Sequence, residues 1–112
     1  MDPRIEKELA MSVTVITHHV LRDETAAQEW DAAMYERLSA ARNQPGWIGG
    51  QLLRAINDRM LRTIVGTWET RDAWESWHGE DAFRETRERL EGLQSRPSET
   101  TWYEVIEERH GE

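Results

Sequence analysis

Apolar and polar positions change period four times along the chain, and these changes, with one hairpin turn, predict six elements. Ser12 to Leu21 reads as a first strand, because Val13-Thr14-Val15-Ile16-Thr17 is strongly β-prone and both of its faces are partly apolar. A helix is predicted from Glu24 to Arg42. Ala26, Trp30, Ala33, Met34, Leu38 and Ala41 form its apolar stripe, Glu29, Asp31, Glu36 and Arg37 fall largely outside it, and Asp23 is placed to cap it. Asn43-Gln44-Pro45-Gly46 ends that helix, since proline disfavours helical geometry in the residue before it. A second strand covers Trp47 to Ile56, Asn57-Asp58 reads as a hairpin turn, and a third strand runs from Arg59 to Thr67 with Trp68 at its end. Thr70 then caps a second helix from Arg71 to about Leu93, whose Trp74, Trp77, Phe83 and Leu90 suit one core-facing side. After a polar loop, Gln94 to Ser98, a fourth strand is expected from Thr101 to Glu107.

The order β-α-β-β-α-β predicts an α+β fold of the ferredoxin-like kind: a four-stranded antiparallel sheet with both helices on one face. At 112 residues the chain holds one domain, expected over 12–108, with 1–11 as an N-terminal extension and 109–112 as a tail. Met11 is a candidate alternative start. Because the helices cover one face only, Val13, Val15, Val65 and Tyr103 are expected on the opposite one, which a second copy of the chain would cover.

Charge narrows the partners. Against 22 acidic side chains stand 14 basic ones, a formal charge of −8, which argues against nucleic acid and anionic membranes. All the basic residues except Lys7 are arginine, a bias that codon usage explains without any anion site. Cysteine is absent, so thiolate metal sites, thiol nucleophiles and disulfides are excluded. The first ten residues are polar, and no apolar run is long enough to span a membrane, so a cytoplasmic protein is the expectation.

Candidate chemistry concentrates where the third strand meets the second helix. Trp68, Trp74 and Trp77 fall within ten positions of each other; Trp30 and Met34 approach from the first helix and Phe83 from the second. Together they predict a cavity for a small planar aromatic ligand, against the plainer alternative that each is an ordinary core aromatic. Gln51 is a candidate polar group in its wall, or faces the partner copy instead. Alternation with Ile16 points His18 toward the helices and His19 away, so His18 is the candidate acid/base, the alternative being a rim histidine bonded to backbone or water. Adjacent strand residues point to opposite faces, so the two histidines do not form a metal pair. His78 and His110 are expected to be exposed, and Arg87 either meets an anionic substrate or pairs with Glu91. Gly49-Gly50 lacks the spacing of a phosphate loop and suits a bulge or close packing.

The stretches Pro45-Gly46-Trp47-Ile48-Gly49-Gly50-Gln51-Leu52-Leu53-Arg54 and Trp68-Glu69-Thr70-Arg71-Asp72-Ala73-Trp74-Glu75-Ser76-Trp77 resemble the second strand and the strand–helix junction of the antibiotic biosynthesis monooxygenase (ABM) domain. The resemblance extends over roughly Val13 to Ile106. It implies a dimeric α+β barrel and a cofactor-independent monooxygenase that uses molecular oxygen on a planar aromatic or polycyclic substrate. In the quinone-forming branch of that family the strand-end tryptophan and an asparagine four positions earlier belong to the site. Trp68 matches the tryptophan, while Ile64 stands at the asparagine. In the haem-degrading branch Trp77 matches a helix tryptophan, while Thr86 stands at the haem-ligating histidine and His18 at a first-strand asparagine, which leaves a haem held by His18 as a further reading. A third is a non-catalytic dimeric domain that binds a small hydrophobic molecule. The predicted site is thus His18 and Trp68 as catalytic residues, with Trp30, Met34, Gln51, Ile64, Trp74, Trp77, Phe83 and Thr86 around the substrate.

Overall fold

A computed structural model describes residues 12–111. The proposed extension, 1–11, with the alternative start at Met11, and the final residue of the tail lie outside them. The elements are β1 (Val13–Val20), α1 (Glu24–Ala41), β2 (Trp47–Ala55), β3 (Asp58–Trp68), α2 (Arg71–His78), α3 (Asp81–Glu91) and β4 (Glu99–Glu104). All strand pairs are antiparallel, in the order β2-β3-β1-β4, which is the ferredoxin-like sheet with the central β1 paired on both sides. Both predicted caps form: Asp23 Oδ1 accepts from Ala26 N at 2.7 Å and Thr70 Oγ1 from Ala73 N at 3.0 Å.

Three elements differ from expectation. The single helix predicted from Arg71 is two, because Gly79 ends α2; its N–H returns to Ser76 O and α3 restarts with Asp81 in its first turn. Apolar spacing carried across the break hid it, although glycine is a poor helix former. The hairpin turn is Ile56-Asn57, with Ala55 opposite Asp58, one residue upstream of the predicted turn; this leaves Ile56 at the tip, fully exposed. β4 starts and stops earlier than predicted, because Thr100 pairs with Thr17 and Glu104 with Val13, where the central strand ends. Ile106 therefore lies beyond the ladder.

The phase of β1 is the reverse of the predicted one. Val13, Val15, Thr17 and His19 turn toward the helices, with Val13 and Val15 only 8% and 4% exposed, and Thr14, Ile16, His18 and Val20 lie on the other face. Both faces of this strand carry β-branched residues, so its own alternation does not fix the phase; pairing with β3 does, placing Val13 opposite Trp68 and Val15 opposite Gly66. Val65 and Tyr103 stand on the open face as expected, but beside Ile16, Thr14, Thr63, Thr67 and Leu53 rather than beside Val13 and Val15.

Two apolar clusters fill the space between helices and sheet. One joins α1 to Leu21, Leu90 and Leu93 around the fully buried Trp30, Ala33 and Met34. The other is aromatic, with Trp68 and Trp77 buried among Trp47, Trp74 and Phe83. Buried Arg62 on β3 is held by a two-pronged pair with Asp31 of α1, at 2.9 and 3.1 Å, which compensates the desolvated charge and locks α1 over the sheet.

Candidate active site

Between the two clusters lies a cavity of about 270 Å³. Its aromatic wall is built at the β3–α2 junction. Trp68 and Trp77 stack at 6.5 Å with planes 29° apart, Trp47 meets Trp68 edge-on at 5.2 Å, and Phe83 meets Trp77 edge-on at 5.7 Å. Two glycines permit this. Gly46 has φ +86°, and a β-carbon there would meet Ala73 Cβ at 2.5 Å; at Gly50 one would meet the Trp47 ring at 2.5 Å. The expectation of close packing at Gly50 thus has its contact, and a register shift between Trp47 and Gly49 is the accompanying bulge.

The opposite wall is polar. His19, 7% exposed, packs tilted against Trp30 with ring centres 5.0 Å apart. Gln94 uses its Nε2 on Arg96 O and Ser98 Oγ, so its Oε1 faces His19 and accepts from Nδ1 at 3.0 Å and from Trp30 Nε1 at 3.3 Å. Ser98 Oγ lies 2.8 Å from the same Nδ1. Nδ1 therefore carries the proton and Nε2 the lone pair. Buried Nε2 has no hydrogen-bond partner among the described residues. Burial pulls the imidazole down to about 4, outweighing the opposing hydrogen bond to Gln94, with Arg37 and His18 adding to the fall; the ring is neutral at pH 7.

Arg37 enters from α1. Its Nε donates to Thr86 Oγ1 at 2.9 Å, its Nη2 to Phe83 O at 3.0 Å, and its guanidinium lies 4.0 Å from the centre of the Phe83 ring. Burial lowers it to about 10, with Arg87 adding to the effect and Glu91 opposing it, so it remains a cation at neutral pH. His78 closes the aromatic side, its ring 3.9 Å from Trp74 and 4.1 Å from Phe83, and its Nδ1 donating to Trp74 O at 2.8 Å. Its basicity is lowered, chiefly by burial.

Of the predicted site residues, Trp68, Trp74, Trp77, Met34, Ile64 and Phe83 line the cavity. Trp30 sits behind His19, and Gln51 pairs with Val65 on the open face. Thr86 holds Arg37 instead of facing a ligand. His18 is on the open face too, exposed, with Nδ1 bonded to Thr63 Oγ1 at 2.9 Å. His18, named as a haem ligand, is thus across the sheet from the cavity, and Thr86 is engaged by Arg37, so neither residue faces a group bound there. His78 is half-buried rather than exposed, and Arg87 pairs with Glu91 at 3.3 Å near the cavity's edge. His19, Arg37, Trp47, Gln94 and Ser98 are among the wall residues that sequence reasoning passed over. Arg37 had a signal, lying three residues after Met34 and four after Ala33.

The sequence profile described as antibiotic biosynthesis monooxygenase matches residues 13–89. The chain belongs to the ABM family. No curated protein matches it in sequence. Among solved structures, this ABM domain is similar to a conserved protein from Methanosarcina mazei Go1, with TM-score 0.81 at 13% identity over 87% of this chain and 95% of that one. Rv0793 from Mycobacterium tuberculosis has TM-score 0.81 at 18% identity, covering 88% and 99%. SnoaB, a cofactor-independent oxygenase from Streptomyces nogalater, has TM-score 0.76 at 20% identity, covering 91% and 97%. At these identities the likeness is one of fold.

Proposed function

We propose that this ABM domain is a cofactor-independent monooxygenase that oxidises a planar hydroxylated aromatic or polycyclic molecule with molecular oxygen, acting as a homodimer joined through the open sheet face. The observation that carries the reading is the cavity itself. Its walls include Trp47, Trp68, Trp74, Trp77 and Phe83, and its polar side includes His19, whose buried Nε2 has no partner among the described residues. Trp68 and Trp77 present faces for a flat ring. His19, rather than His18, is the base. Its Nε2 accepts the substrate proton; the electron-rich anion transfers an electron to oxygen, and the two join through a C–O bond as a peroxide. Loss of water, with the proton returned from His19, converts a ring CH2 to a carbonyl: CH2 plus O2 gives C=O plus H2O, with no external reductant. Gln94 and Ser98 fix the tautomer this requires.

One observation favours the second reading, a non-catalytic domain that binds a planar molecule: Ile64 lines the cavity where the quinone-forming branch has a polar side chain, and burial weakens His19 as a base. Oxygen uptake with an anthrone-type phenol decides between them. Wild type should consume oxygen faster than buffer, His19→Gln should be slower by on the order of a hundredfold, Trp68→Phe should be impaired, and His18→Gln should stay near wild type. Uptake no faster than in buffer would leave only the binding domain.

A further inference from the structure

We infer that Arg37 is the oxyanion-binding residue of this cavity, and that the molecule it takes is a planar phenol bound as its anion. The inference rests on the cavity being a site for a flat ring, and adds the charge state and the residue that sets it.

Several arginines of the described chain meet carboxylates, among them Arg62 with Asp31, Arg71 with Glu75, Arg87 with Glu91 and Arg89 with Glu29. Arg37 does not. Its bonded acceptors are a hydroxyl and a backbone carbonyl, both neutral, and the Phe83 ring offers only its quadrupole. Glu91, the carboxylate nearest the cavity, is engaged by Arg87. A half-buried cation with no carboxylate in direct contact, Glu91 acting on it only at longer range, is costly to maintain, and a ligand anion in the cavity would supply the closer charge.

Geometry limits where that charge sits. Thr86 and Phe83 fix Nε and Nη2, so the guanidinium plane is held, and Nη1 donates to nothing among the described residues. A phenolate oxygen meeting Nη1 leaves its ring among the tryptophans. Ile64 in the same cavity cannot hydrogen-bond an oxyanion, and Arg37, from a different element, can. The formal charge of −8 does not oppose such binding strongly, because exposed carboxylates are screened beyond about 8 Å at physiological ionic strength. The plain structural role, a tether between α1 and α3, uses Nε and Nη2 and leaves Nη1 free to meet a ligand.

Umbelliferone is a suitable probe, a planar two-ring phenol whose neutral and ionised forms absorb at different wavelengths. Titrated with pH in the presence of saturating wild-type protein, its apparent pKa should fall by about one unit or more relative to free probe. Arg37→Met, checked for folding by circular dichroism, should bind the probe and lose the shift, whereas His18→Gln, on the open face, should keep it. An unshifted or raised pKa in wild type, no binding, or a shift that survives in Arg37→Met overturns the inference. The wild-type arm does not depend on any variant folding. Oxygen uptake is scored separately: a shifted probe without uptake sinks the oxygenase and leaves the anion site, and uptake with an unshifted probe does the reverse.

Discussion

His19 shows how much a single side chain depends on its phase in a strand. Buried among Trp30, Gln94 and Ser98 it stays neutral, whereas His18, one residue away, is exposed and bonded to a threonine. Its depressed pKa couples folding to pH. Because the imidazole titrates near 6.5 when unfolded and near 4 when folded, the unfolded chain binds more protons between those values. Its contribution is therefore fully present above pH 6.5 and is lost as pH falls toward 4, a loss of roughly 3 kcal/mol across the window. Urea denaturation at pH 7.5 and pH 4 should show the wild type losing that much more stability than His19→Gln, since carboxylate protonation is common to both. Equal losses in the two proteins would show that burial does not hold this imidazole neutral.

At the scale of elements, the β3–α2 junction was readable from the chain, and the break after His78 was not. Thr70 and the three nearby tryptophans mark a local change of period, which needs no distant partner to be seen. Gly79 is equally local, but the apolar spacing of Trp77, Phe83 and Leu90 runs through it. The junction also depends on the turn before β2, where Gly46 accepts from Glu69 N at 2.7 Å and leaves no room for a β-carbon beside Ala73. Gly46→Ala should cost about 2 kcal/mol, combining the left-handed backbone with the steric contact, and should push α2 off the aromatic wall. A thermal midpoint within a degree of wild type would refute that account.

The whole molecule leaves one sheet face without helices. Ile16, Val65, Leu53 and Tyr103 lie there among threonines, with Leu53 and Tyr103 substantially exposed. Such a face suits a second copy better than water. Sedimentation at micromolar concentration should give twice the 13.2 kDa chain mass, and Val65→Glu should return it to the monomer without loss of helical signal. A wild-type species of 13.2 kDa would end the dimer proposal. Among the described residues no helix is long and apolar enough to cross a membrane.

The chain by itself determined the order of its strands, the helical segments between them apart from the break at Gly79, the caps of α1 and α2, the aromatic junction and its family likeness, because each is written in a local period or a short run of residues. Tertiary structure decided which histidine reaches the cavity and what surrounds the cation there. A strand with β-branched residues on both faces has two equivalent phases until β3 pairs with it. Arg37 became part of the site only when α1 met α3, through partners 46 and 49 residues away whose contacts no periodicity in either helix encodes.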